Sequence, residues 1–174
     1  MKGVYILGID PANEKSAFCL VDQQLKPIAF GKNDNELMYA QMIDEIVKNV
    51  PSTYIDSGLN VAIEMMQNFG APVGKTTFET CVWIGRLAER LRDFPIQFIY
   101  RKTDENMVLC HRMTANDAQI RQVLIDRFAP NTPNYGKGSK AEPGWFYGFR
   151  ADVWQAYAVA VTMHDKYLKG EMNE

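Results

Sequence analysis

The 174-residue chain reads as one α/β domain: a five-stranded mixed sheet, three antiparallel strands and then two parallel ones, with helices packed on both faces. Three features of the residue pattern point there. Three β-rich runs follow one another at the start of the chain with only tight turns between them. The apolar period then switches from strand-like to helical near residue 35. After that, two short apolar strand patterns each follow a helical stretch, as a crossover connection requires.

Val4-Tyr5-Ile6-Leu7-Gly8-Ile9-Asp10 is the first β-rich run, and Ser16-Ala17-Phe18-Cys19-Leu20-Val21 and Pro27-Ile28-Ala29-Phe30 are the next two. Pro11-Ala12-Asn13 and Asp22-Gln23-Gln24 supply turn chemistry between them, and links this short demand antiparallel pairing. Residues 35–50 set Leu37, Met38, Met42, Ile43, Ile46, Val47 and Val50 at helical spacing, and Pro51 stops the run. Val61-Ala62-Ile63-Glu64 is a short buried strand, followed by a helix over residues 77–92 and a strand over 96–100. Thr114-Ala115-Asn116-Asp117 resembles a capping box opening a helix that runs to Phe128. Residues 130–148, rich in Pro, Gly, Asn and Lys, read as a mobile loop, and a last helix spans 151–168. The order βββ-α-β-α-β-α-α is the ribonuclease H-like layout, and it takes up residues 1–174 as a single domain.

Composition narrows the function. Hydrophobic residues make up 47% and charged residues 23%, an ordinary globular balance that excludes a disordered chain. No apolar run reaches the length of a membrane span, and Met1-Lys2-Gly3 leads into a strand pattern and not a signal peptide. Three scattered cysteines (Cys19, Cys81, Cys110) form no paired motif, so a disulfide framework or structural zinc is not expected and a reducing cytoplasm is. The net charge of −2 conceals an uneven spread: residues 1–70 hold five basic and nine acidic groups, residues 71–150 twelve and eight. Only the middle stretch has the charge to face a polyanion. P-loop, GxGxxG, HExxH and GxSxG motifs are all missing from the sequence.

The chemistry-bearing residues are acids in unexpected places. Asp10 ends an apolar strand, and Glu64 ends Val61-Ala62-Ile63 in the same way. Taken singly, each also reads as a strand-terminal acid facing water. On neighbouring parallel strands the two would leave the sheet at one end. Asp152 falls in the first turn of the last helix, where the helix dipole alone favours an acid. Ala156, Ala158 and Ala160 would let that helix lie close to the sheet and carry Asp152 towards the other two. Gln155 shares the face of Asp152 and offers a neutral oxygen, a weaker ligand than a carboxylate. Three carboxylates without His or Cys make a hard-oxygen site for Mg²⁺ or Mn²⁺, and such ions, two together, hydrolyse phosphodiesters with water as nucleophile.

Gly8-Ile9-Asp10-Pro11, Ala62-Ile63-Glu64 and Asp152-x-x-Gln155-Ala156-x-Ala158-x-Ala160 resemble the RuvC-type Holliday-junction resolvases, especially compact bacterial and phage members. The resemblance follows the element order over nearly the whole chain. It implies a divalent-metal-dependent endonuclease, with two Mg²⁺ (or Mn²⁺) ions per site, acting as a homodimer on four-way or other branched DNA. It also implies residence in the cytoplasm of a bacterial cell or phage-infected host. Asp10, Glu64 and Asp152 fall on the family's catalytic, metal-binding positions, with Asp10 shared between both ions. The family's fourth acid is Gln155 here, two common lysine positions are Asn106 and Asp117, and the junction-probing aromatic position is Gln67, with Phe69 nearby. Phe69, Lys75, Arg101, Lys102, Arg112, Arg121, Lys137 and Lys140 are the candidate DNA contacts; the bland reading of the cations is a solvated surface. Residues 77–92 are apolar on more than one side, which suits a partner subunit or a cover formed by 130–148. The chief alternative is a branched-DNA-binding protein with little or no catalysis, its metal site weakened at Gln155. An actin-like phosphotransferase shares the Gly-x-Asp strand but needs two such domains, and this chain has length for one.

Overall fold

In the computed structural model, which describes residues 4–55 and 58–169, β1 (Tyr5–Asp10), β2 (Lys15–Val21) and β3 (Pro27–Asp34) form the antiparallel meander that their short links require. β4 (Leu59–Met65) and β5 (Ile96–Tyr100) add to the other edge of β1 in parallel, giving the order β3-β2-β1-β4-β5. The helices are α1 (Asn35–Asn49), the single turn α2 (Ser52–Ile55), α3 (Lys75–Arg90), α4 (Asn106–Cys110), α5 (Asp117–Phe128) and α6 (Val153–Met163). Two π-helical turns, Arg101–Glu105 and His164–Leu168, complete the chain. This is the ribonuclease H-like architecture expected from the pattern.

Strand alternation sorts the core into two halves. Leu7, Ile9, Phe18, Leu20, Val61 and Ile63 face α1 and α3, where they meet Met38, Met42, Ile46, Ile84 and Leu87. Ile6, Ala17, Cys19, Ala62 and Ile99 face α5 and α6. Every residue of α6 except Gln155 is buried, so this helix is central and not a surface helix with one apolar stripe. Its approach to the sheet depends on one glycine. A Cβ at Gly8 would lie 2.1 Å from the carbonyl oxygen of Ala156 and 2.9 Å from the Cβ of Ala160. Gly8→Ala must therefore push α6 off β1, and overpacking of this kind costs about 1–3 kcal/mol. Thermal unfolding is expected to show a Tm lower by roughly 2–12 °C. An unchanged Tm would mean that α6 is held elsewhere.

The structure differs from the sequence reading at several boundaries. The capping box of α5 is Asn116 with Gln119, not Thr114 with Asp117: Asn116 Oδ1 accepts from the Gln119 backbone N–H, and Gln119 Oε1 accepts from that of Asn116. The last helix begins at Val153, because Ala151 takes a positive φ of 38° that no helix continues through. Asp152 is thus the N-cap residue and not a first-turn residue, and its side chain makes no capping bond. After Met163 the helix widens into the π turn. The turn-rich segment 130–148 closes on itself through a Gly138–Pro143 bridge and sends Phe146 fully into the core. There Phe146 joins Phe128, Trp145, Phe149, Trp154 and Tyr157, with ring centroids 4.6 to 5.8 Å apart. Tyr157 accepts from Trp145 Nε1 at 3.1 Å and donates to the Leu25 carbonyl at 3.0 Å.

Candidate active site

The parallel register does the first part of the assembly. Ile9 pairs with Ile63, so Asp10 and Glu64 follow one step later at the same end of adjacent strands, on the α6 face. Ser16 donates to Asn35 Oδ1 at 2.6 Å, and Asn35 Nδ2 donates to the carbonyls of Ala12 and Asn13, which pins the turn that follows Asp10. β5 runs parallel to β4, with Glu64 opposite Ile99, and so it delivers Arg101–Glu105 to that same end. Asp152 arrives from above at the start of α6. Asp10, Glu64, Asp152, Gln155, Arg101 and Arg121 line one cleft of about 260 Å³, walled on its apolar side by Ile120, Leu124 and Trp154.

A fourth acid adjoins the cleft without lining it. Glu105 is fully buried; its Oε2 accepts from Gln155 Nε2 at 2.6 Å, and its Oε1 lies 3.3 Å from Arg101 Nε. Arg101 also pairs with Asp117 across the cleft mouth. Burial, and then the carboxylates of Glu64, Asp152 and Glu105, push the Asp10 carboxyl well above its ordinary range. Burial likewise raises Glu64, partly offset by Arg101, and raises Glu105 to about 8. Asp152 is partly exposed and accepts a hydrogen bond from the ammonium of Lys32 on β3.

These raised values carry a stability consequence. A carboxyl whose folded pKa lies above its unfolded one binds protons more tightly when folded, so its contribution is complete below the ordinary 4.5 and is lost as pH rises through the folded value. For Glu105 that window runs from 4.5 to about 8. Asp165 has the opposite sign: against burial, His164 and Arg127 pull it down to about 2, so its contribution is present above 3.8 and falls away only below that. In chelator, Tm is expected to fall by roughly 5 °C or more between about pH 5 and pH 8, and less in Glu105→Gln. A Tm that is flat or rising over that range in chelator would contradict the burial of these acids.

The donor set suits a divalent cation. It consists of carboxylate and amide oxygens, and two buried oxygens, Glu64 Oε2 and Glu105 Oε1, have no hydrogen-bond donor. Among the described residues, no group of three or more acidic, His or Cys side chains is already gathered as a metal site. Arg101 is drawn to Glu105 and Asp117, and Lys32 to Asp152.

Asp10, Glu64, Asp152 and Gln155, singled out in the sequence, do come together, and Arg101 and Arg121 join them. Arg101 is spent on Glu105 and Asp117, and Arg121 lies over the Trp154 ring at 5.3 Å. Phe69 is exposed in a neighbouring hollow, with the Lys102 ammonium 4.6 Å from its ring centre. Lys75 pairs with Glu79 on α3. Lys75, Arg112, Lys137 and Lys140 do not line the cleft. Asn106 serves the fold: its Nδ2 donates to the carbonyls of Met113 and Ala115 and closes the loop before α5. Glu105 and Lys32 were not anticipated. Glu105 had one available signal, since a strand parallel to β4 must deliver its following residues to the Asp10–Glu64 end.

The layers and the strand order define a ribonuclease H-like fold. No protein-family model and no curated protein sequence matches the chain. Among solved structures, Thermus thermophilus RuvC matches with a TM-score of 0.60 at 9% identity, covering 96% of this chain and 97% of that one. T. thermophilus RuvC in complex with a Holliday junction substrate matches with a TM-score of 0.63 at 12% identity, covering 96% of each chain. The chain has the fold of these RuvC structures.

Proposed function

We propose that this protein is a divalent-metal-dependent endonuclease that hydrolyses phosphodiesters in branched DNA, four-way junctions first among them, and works as a homodimer. The observation that carries the reading is the meeting of Asp10, Glu64 and Asp152 at one sheet end, in a cleft open to solvent, on a RuvC-type fold. Asp10, Glu64 and Asp152 would hold the ions, with Gln155 beside them. Bound Mg²⁺ or Mn²⁺ supplies an activated water and stabilises the leaving oxygen. The chain itself positions and screens. The β1–β4 register fixes two carboxylates on rigid strands, and the Ser16–Asn35 bond keeps the adjoining turn in place. Ile120, Leu124 and Trp154 close the apolar wall of the cleft and limit water. Arg121 at the cleft, with Lys102 and Phe69 in the next hollow, would meet phosphates and unpaired bases. No helix among the described residues is long and apolar enough to cross a membrane, and the proposed place of action is the cytoplasm.

One observation favours a second reading, a junction-binding protein without catalysis: Asp152 is already bonded to Lys32. A single panel separates the two. Four-way junctions, flaps, forks and linear duplex, each strand labelled in turn, are incubated with the protein and Mg²⁺ or Mn²⁺. Strand cleavage confined to branched substrates supports the nuclease. Tight junction binding without cleavage in either metal supports the second reading, and indifference to DNA structure rejects both.

A further inference from the structure

Glu105 is the one acid of the cluster without an evident task. It sits at the end of the π turn after β5, fully buried, while its neighbour Asp104 turns the other way to accept from the Tyr100 backbone N–H and the Lys166 ammonium. Glu105 Oε2 is fixed by Gln155 Nε2 at 2.6 Å. Oε1 is closed off from solvent and accepts no hydrogen bond; the nearest cation, Arg101 Nε, is 3.3 Å away and divides its guanidinium between Glu105 and Asp117. A buried carboxylate oxygen left without a donor is costly, and a site that keeps one generally has a ligand for it. The same holds for Glu64 Oε2 at the same sheet end. Gln155 is the only residue of α6 that is not buried, and its amide is directed at a carboxylate from a different element.

We propose that Glu105 is the fourth carboxylate of the metal site, supplied from the π turn after β5, and that Gln155 is the positioning residue that holds it. The inference rests on the metal-dependent reading above. On this reading the charge comes from Glu105, and the amide at 155 orients it. A second acid at 155 would then repel Glu105 instead of adding to the site. The competing account is a purely structural Arg101–Glu105 ion pair.

The test is a titration of the metal-free protein with Mn²⁺, following free Mn²⁺ by electron paramagnetic resonance, with thermal unfolding in chelator alongside. Glu105→Gln keeps shape and removes charge, and is expected to weaken Mn²⁺ binding about tenfold or more while leaving the fold intact. Gln155→Asp is expected to bring no gain in the wild-type background, and to restore binding to within about threefold in the Glu105→Gln background. Unaltered Mn²⁺ affinity in Glu105→Gln, with a lowered Tm, would overturn the proposal in favour of the structural ion pair. Asp10→Asn separates the levels. If it weakens Mn²⁺ binding and Glu105→Gln does not, only this inference fails; if neither does, the metal-dependent reading fails with it. Should Glu105→Gln not fold, Gln155→Ala removes only the positioning amide, and the same titration is expected to show about a tenfold loss. No loss there would overturn the proposal.

Discussion

Asp10→Asn is expected to abolish strand cleavage while junction binding persists. Asp10 stands where the β1 end, Glu64, Glu105 and the start of α6 meet, and all three neighbouring acids act on its carboxyl. A metal ligand at such a point supports several kcal/mol of transition-state stabilisation, and each 1.36 kcal/mol is tenfold in rate, so a loss of about 10³-fold or more follows. The substitution is nearly isosteric and removes a charge from a buried, mutually repelling group, so the metal-free fold should be at least as stable as before. Binding is a separate matter. Phosphate contacts come from cations, and one negative charge fewer beneath a phosphate backbone should leave affinity unchanged or slightly tighter at fixed salt. Quantified nicking of a labelled four-way junction, with fluorescence anisotropy on the same DNA, measures both. An Asp10→Asn protein that nicks at the wild-type rate would remove Asp10 from the chemistry. One that neither nicks nor binds would point to a role in shaping the DNA surface.

Asp10 and Glu64 were legible because each interrupts an apolar strand, and a strand repeats its faces every second residue, so a misplaced charge stands out. The sheet order was legible for a related reason: three strands joined by a few residues each have no other way to pair. Glu105 was hidden by its neighbourhood. Arg101-Lys102-Thr103-Asp104-Glu105 reads as a solvated charge run, and a π turn has no sequence period of its own by which to recognise it. Its burial comes from elements far along the chain, chiefly α6, whose own closeness depends on Gly8. Lys32 was hidden likewise, since its partner Asp152 lies 120 residues away. The start of α6 was misjudged because Ala151 is a good helix former in isolation. Phe146 and Phe149 are fully buried just before it, and Ala151 takes a positive φ of 38°. The Asp152 side chain reaches Lys32 and makes no capping bond to the helix N–H groups.

Val82→Glu is expected to turn a dimer into a monomer and to end paired cleavage of junctions. On α3, Thr80, Ile84 and Leu87 are buried against the sheet, as one amphipathic face requires. Phe78 and Val82 lie a turn apart on the opposite side, 61% and 58% exposed, and Gly85 continues the row. The segment 130–148 does not cover them: Phe146 packs with α6 in the half of the core on the other face of the sheet. An apolar ridge on a helix, left open by its own chain, suits a second copy of that helix across a two-fold axis, and symmetric nicks in a four-way junction need two active sites. A charge at Val82 costs little in the monomer, since exposed substitutions stay within about 0.5 kcal/mol. In a two-fold contact it is buried twice against its own image, a penalty of several kcal/mol that a modest interface does not survive. Light scattering at tens of micromolar should give the dimer mass for the wild type and the monomer mass for Val82→Glu, with unchanged circular dichroism. On a four-way junction, simultaneous nicks in opposed strands should give way to single, uncoordinated ones. A wild-type protein that is monomeric at that concentration and still nicks both strands together would overturn the dimer.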